Sequence, residues 1–171
     1  PAEVILFQGI PKSDKMDLII QKSVELGVGK IYPVITERTI VKLGNQKDVD
    51  NKLKRWQKIS LEAAKQCGRG IIPEVKNPVC FKEALTIASA TQLGLIPYEK
   101  ETAKSLKHYL KPGNINSVSI IIGPEGGFSE KEIEWAADEG LNVVTLGPRI
   151  LRTETAGIAV LSILMYELEG I

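Results

Sequence analysis

The stretch IIIGPEGGFSEKEIEWA, residues 120–136, runs three isoleucines into a Gly-Pro-Glu-Gly-Gly loop and then into a charged segment. A second stretch, VVTLGPRILRTETAGIAVLSIL at residues 143–164, repeats that order. Each reads as a buried strand, a Gly/Pro loop carrying a glutamate, and a helix. One Gly or Pro suffices for a turn, so loops this rich mark places where the backbone must come close to something. VSIII, 118–122, is apolar at successive positions, as a strand covered on both faces should be.

The same alternation extends outward. EVILFQGI reads as a strand closed by Gly9 and Pro11. A helix then follows with Ser13 as its cap, Met16, Ile19, Ile20 and Val24 as its inner stripe, and Gly27 at its end. KIYPVIT is a second strand, although Pro33 argues against a central place. Residues 48–67 form the longest helix, with Val49, Leu53, Trp56, Ser60, Ala63, Ala64 and Cys67 in one stripe and Gly68 as its stop. IIPEV is extended, FKEALTIAS helical, QLGLIPYE a strand, and TAKSLKHYL a helix closed by KPGN. A helix over 129–139, the strand NVVTL and a helix over about 153–168 complete the chain. Strict alternation of this kind predicts an α/β domain with a mainly parallel sheet and flanking helices. In such sheets ligands bind beyond the carboxyl ends of strands, and three strands here end in Pro/Gly loops.

The 171 residues suit one domain with a substantial core. A hydrophobic fraction of 43% and a charged fraction of 25% are ordinary for a globular protein. No apolar run is long enough for a membrane span, and the opening PAEVILFQGIPKSDK has no signal-peptide pattern. A cytoplasmic protein is the expectation. Because the sequence begins at Pro1, a segment is expected upstream. Cys67, Cys80 and the lone His108 make neither a zinc set nor a disulfide framework, so no metal and two reduced thiols are expected. Residues 1–70 hold 13 Lys/Arg against 8 Asp/Glu, and residues 71–171 hold 9 against 13. A basic first half suits a polyanionic partner; solvated helix faces would give the same count.

The first loop is neither a Walker loop, since no Gly-Lys-Ser/Thr follows, nor the dinucleotide fingerprint, since its glycines are wrongly spaced. Ser129 with Glu132 has capping-box spacing, and Phe128 with Ile133 staple spacing, so FSEKEI serves to start a helix. Glu125 precedes the cap and needs a partner: a ligand or a loop arginine. In the second loop Arg149, Arg152 and Glu154 stand close together, and Arg152 and Glu154 can pair with each other or with Glu125. The helix after them is apolar nearly all round, so it is buried or packs on a partner chain.

GPEGGFSEKEIE together with LGPRILRTETA resembles the RsmE family, and ELGV, ITERT, RWQKISLEAAKQCGR and IIPEV resemble further blocks of that family in the same order. The resemblance covers essentially the whole chain. These are SPOUT-class methyltransferases acting on N3 of a uridine in small-subunit (16S) ribosomal RNA. The resemblance implies a C-terminal trefoil knot, S-adenosylmethionine as cofactor, and a homodimer formed through the knotted region. It also implies an N-terminal PUA-like RNA-binding domain that this sequence lacks, so that residues 1–171 are the methyltransferase domain.

Carried over by motif, the cofactor pocket would be lined by Leu95, Ile96 and Pro97. Gly123, Pro124, Glu125 and Gly126 would form a second wall, and Leu146, Gly147, Ile150, Leu151 and Arg152 a third; Thr153, Glu154 and Ala156 would close it. Glu154 is the first candidate for general base and Glu125 the second. Arg152 would stabilise charge on the uracil carbonyls. Arg38, Arg55, Lys65, Gln66, Arg69 and Arg149 are the candidate RNA contacts, mostly to phosphate. Two other readings share this sequence: a non-catalytic RNA-binding or ribosome-assembly factor, and a related methyltransferase with another RNA target.

Overall fold

The computed structural model describes residues 2–110 and 113–169. The expected alternation is present: β1 (Glu3–Gly9), α1 (Lys15–Glu25), β2 (Lys30–Ile35), α2 (Gln46–Cys67), β3 (Glu74–Val75), β4 (Val79–Cys80), α3 (Phe81–Ala88), β5 (Leu93–Pro97), α4 (Leu106–Tyr109), β6 (Ser117–Ile122), α5 (Glu130–Asp138), β7 (Asn142–Val144) and α6 (Thr153–Glu169). Seven strands form one sheet in the order β3-β2-β1-β6-β5-β7, with β4 also on β2. Every pairing is parallel.

Alternate residues of β1 feed two cores. Val4 and Leu6 join Ile19, Ile20, Trp56, Leu161 and Leu164 on the α1, α2 and α6 face. Ile5 and Phe7 join Phe81, Leu85, Phe128 and Ala136 on the α3 and α5 face. With both faces covered, the continuous apolar runs of β1 and β6 are explained.

Pro33 lies inside β2 despite lacking a ladder donor. The Ile10 N–H bonds the Val34 carbonyl on the β1 side, so Pro33 points to the other side. There β3 covers Lys30 and Ile31, β4 covers Val34 and Ile35, and Pro33 falls in the gap.

Four local expectations are corrected. Ser13 does not cap α1: it turns the chain with φ 56°, and Asp14 holds the cap position without a side-chain bond. Cys67 is exposed rather than part of the buried stripe, because the chain reverses at the left-handed Gly68 and leaves it outside. NVVTL pairs only over Asn142–Val144. The helix expected over TAKSLKHYL is a single turn, Leu106–Tyr109. The Glu101 carboxylate accepts from the backbone N–H of Ala103 and Lys104, the Lys104 carbonyl accepts from Thr145, and Ser105 bridges Thr145. Residues 101–105 are therefore held as a turn and an extended bridge. Lys111 and Pro112 of the KPGN closure lie outside the described residues. Among the described residues no helix is long and apolar enough to cross a membrane, and no His/Cys/Asp/Glu group could hold a metal.

Candidate active site

The carboxyl ends of β6, β5 and β7 lie side by side, and the segments beyond them surround an open cavity of about 740 Å³. That size falls within the range of small-molecule sites. Its walls come from residues 97–99, 101–102, 122–128 and 145–153, with Lys15 and Ala156 at the margin.

The wall after β6 is fixed from several sides. A Cβ on Gly9 would stand 2.6 Å from Pro124 Cδ, so β1 and this loop touch backbone to ring. The Lys12 N–H donates to Glu125 Oε1 at 2.7 Å, and Lys15 Nζ reaches the same oxygen at 3.3 Å. Partial burial pushes the Glu125 carboxyl up, but its own backbone N–H, that of Lys12, and the Lys15 ammonium outweigh this and hold it below its usual range. Arg38 Nη1 donates to the Gly126 carbonyl at 2.9 Å. The capping box of α5 is present, and Glu132, 1% exposed, also accepts the Glu37 N–H at 2.8 Å. Gly127 has φ 68°, which closes the turn through its N–H to the Pro124 carbonyl.

The wall after β7 is more open. The Gly147 N–H bonds Thr145 Oγ1 at 3.1 Å and Gly147 has φ 103°; beyond it Arg149, Ile150 and Arg152 are exposed, Ile150 by 85%. The wall is anchored where α6 begins. The Thr153 hydroxyl donates to the Gly123 carbonyl at 2.6 Å. Gln8 Nε2, fully buried at the end of β1, donates to Thr153 Oγ1 at 2.8 Å and to the Gly9 carbonyl at 2.9 Å.

Most residues expected in the pocket are on its wall: Pro97, the 123–126 loop, Leu146, Gly147, Ile150, Leu151, Arg152, Thr153 and Ala156. Arg149, expected at RNA, also lies there. Leu95 and Ile96 do not; β5 sits between β6 and β7, and these two side chains are wholly buried, one in each core. Glu154 is not on the wall either, and its Oε2 is buried without a hydrogen-bond partner among the described residues. The expected pairing of Glu125 with a loop arginine gives way to Lys12 and Lys15.

The other candidate RNA contacts are dispersed. Arg38 stands against the first loop. Arg55 pairs with Asp17 and, at 3.6 Å, with Asp14. Lys65 pairs with Glu62 at 3.6 Å, and Gln66 is exposed. Arg69 is occupied: Nη1 donates to the carbonyls of Val24 and Val28 at 3.0 and 2.8 Å, closing the C-terminus of α1. That places Arg69, with Lys65 and Gln66 a turn away, at the end of the sheet where β1 and β2 start, opposite the cavity. Position along α2 was invisible to a count of basic residues.

The wall also contains Tyr98, Glu99, Glu101 and Thr102, which the sequence reading passed over. Their signal was adjacency to Pro97 at a strand end. Gln8 was missed too, though a polar residue in phase with Val4 and Leu6 of an apolar strand was a sign that something buried needs it.

Residues 1–165 match the family model described as RNA methyltransferase domain. The chain is 40% identical over 160 residues to the ribosomal RNA small subunit methyltransferase E of Mesomycoplasma hyopneumoniae (strain 232), covering 94% of this chain and 68% of that one. It is 36% identical to the protein of the same name from Bacillus subtilis (strain 168), covering 99% and 68%. Among solved structures, a Legionella pneumophila protein in complex with the bound cofactor SAM superposes with TM-score 0.88 at 41% identity, over 96% of this chain and 66% of that one. A ribosomal RNA small subunit methyltransferase E from Neisseria gonorrhoeae bound to S-adenosyl methionine gives 0.85 at 38% identity, over the same shares. The chain thus spans about two thirds of the length of these relatives.

Proposed function

The chain belongs to the ribosomal RNA small subunit methyltransferase E family, and on that footing we propose that it transfers a methyl group from S-adenosylmethionine to N3 of a uridine in 16S ribosomal RNA. The observation that carries this is the cavity at the carboxyl edge of the sheet, built from three strand-end loops, on a fold shared with two proteins solved with that cofactor bound.

The residues fit such a group. Apolar side chains (Ile122, Phe128, Leu146, Leu151) offer a surface for a flat base, while the Gly and Pro loops leave backbone N–H and C=O open for its polar edge. When bound, the cofactor supplies a methyl carbon on a sulfonium centre, which departs as a thioether. The protein aligns the uracil nitrogen behind that carbon, and alignment of this kind is worth about 7–11 kcal/mol. Arg152, exposed on the wall, stabilises the negative charge that reaches the uracil carbonyls as N3 loses its proton. Of the wall carboxylates, Glu125 is held by Lys12 and Lys15, and Glu101 by the N–H groups of Ala103 and Lys104. Glu99 makes no hydrogen bond or ion pair among the described residues and lies against Gly127, so it takes the role of proton acceptor first given to Glu154. Arg149 and Arg38 flank the opening and suit phosphate.

The remaining parts of the reading follow the family resemblance. Residues 1–171 are the methyltransferase domain, and a PUA-like domain of the family would add RNA contacts. A trefoil knot is supported by α6, which follows the edge strand β7 yet packs back on α1 and β6. A homodimer is supported by Ile163 and Tyr166, large apolar side chains that stand 42% and 65% exposed on α6 while its Val160, Leu161, Leu164 and Met165 are buried in the core. The cytoplasm, where ribosomal RNA is processed, is the proposed location.

Calorimetric titration with S-adenosylmethionine tests the pocket, and incubation with unmethylated small subunits followed by nucleoside analysis tests the reaction. Saturable binding and 3-methyluridine are expected. A folded protein that gives no binding heat would overturn the reading, and a different methylated nucleoside would redirect it.

A further inference from the structure

We infer that Gln8 is a positioning residue for the cavity: from the buried end of β1 its amide orients the Thr153 hydroxyl toward the Gly123 carbonyl, and so holds two of the cavity walls together. The assignment of a cofactor to that cavity rests on the function proposed above.

The direction of the relay follows from the atoms. Gln8 Nε2 faces two oxygens, Gly9 O at 2.9 Å and Thr153 Oγ1 at 2.8 Å. A carbonyl only accepts, so the atom facing Gly9 must be the nitrogen of the amide. Its second hydrogen then occupies a lone pair of Thr153 Oγ1. The single hydroxyl proton of Thr153 is left to point at Gly123, where the bond is 2.6 Å. Three segments far apart in sequence meet in this chain of bonds: the end of β1, the loop after β6 and the first residue of α6. The last two are the walls of the cavity.

The two bonds that Gln8 donates stabilise the fold, but the side chain is not fully satisfied. Gln8 is 0% exposed and its Oε1 has no hydrogen-bond partner among the described residues. A buried, unpaired acceptor is costly and offsets part of what the two donated bonds contribute, so the net stabilisation from this amide is small.

The test uses Gln8→Met, which keeps shape and removes both donors, with Thr153→Val and the double variant. Amide hydrogen exchange of 123–127 and 145–152 is read without ligand, and S-adenosylmethionine affinity by calorimetry. Gln8→Met should keep its Tm within about 4 °C of the parent. Its loop amides should exchange roughly tenfold faster and its Kd rise about tenfold, a loss near 1.4 kcal/mol. The double variant should lose no more than the worse single one, since both cut one relay. Gln8→Glu should loosen the loop as well, because a carboxylate draws the Thr153 proton away from Gly123. Unchanged exchange in folded Gln8→Met, or losses that add in the double variant, would overturn the inference. If Gln8→Met does not fold, Gln8→Glu against the parent decides by the same exchange readout. A parent that binds no S-adenosylmethionine while Gln8→Met still loosens both loops would sink the cofactor assignment and leave the positioning role standing.

Discussion

Lys12 donates its backbone N–H to the Glu125 carboxylate at 2.7 Å, which joins the turn after β1 to the loop after β6 across 113 residues of sequence. The residue that looked in sequence like a ligand group is thus a tie between loops. Its carboxyl is held below the usual range, so the contact is fully present above the unfolded carboxylate pKa and is lost as pH falls through the lower, folded value. Glu125→Gln should cost about 0.5–1.5 kcal/mol at neutral pH. The difference from the parent should shrink in acid, where the parent carboxyl is itself protonated. Thermal unfolding of both proteins across the acid range checks this; a gap independent of pH would contradict it.

Gly9 touches the ring of Pro124 where no side chain fits. Gly9→Ala should push the loop off β1, destabilise by about 1–3 kcal/mol, and weaken cofactor binding more than a surface change of equal cost. Calorimetry beside a melting curve would separate the two effects, and retention of both parental values would show that the loop yields freely.

Glu99 and Glu154 are distinguished by where they sit. Glu99→Gln should slow single-turnover methyl transfer by roughly 10²- to 10⁴-fold with cofactor affinity nearly unchanged. Glu154→Gln, off the wall, should slow it less than about tenfold. The reverse ranking would return the base to Glu154.

Arg69 closes the carbonyl end of α1. Arg69→Ala leaves those carbonyls short of a charged donor and should cost about 1–3 kcal/mol of stability. RNA affinity of the folded protein should not move. A loss of RNA binding with an unchanged melting curve would restore the role expected from sequence.

Ile163 and Tyr166 carry the dimer reading. Ile163→Asp with Tyr166→Glu should yield monomers in sedimentation, since like charges on facing copies of one helix oppose a two-fold contact. Dimers that persist would place the interface elsewhere.

The element order was legible because two periodicities alternate cleanly and because Gly and Pro punctuate them. The strand-end loops were legible for the same reason. What local pattern could not convey was long-range capture. TAKSLKHYL has a helical pattern, yet Thr145, forty residues on, holds Lys104 and Ser105 extended. Leu95 and Ile96 neighbour a cavity residue in sequence but lie in the middle of a two-sided core, which depends on β5 having strands on both sides. Glu125 and Arg69 found partners on elements that no spacing rule connects to them.

Pro33 and the broken cover of β2 bear on the fate of this chain among its own copies. A long unpaired strand edge is a template on which other chains polymerise. Here the outer side of β2 is met by two separate two-residue strands, with a proline at the break, and the far edge of the sheet, β7, is three residues long. Neither rim offers an uninterrupted row of donors and acceptors. The chain can therefore be concentrated with little risk of its sheet edges joining into fibres.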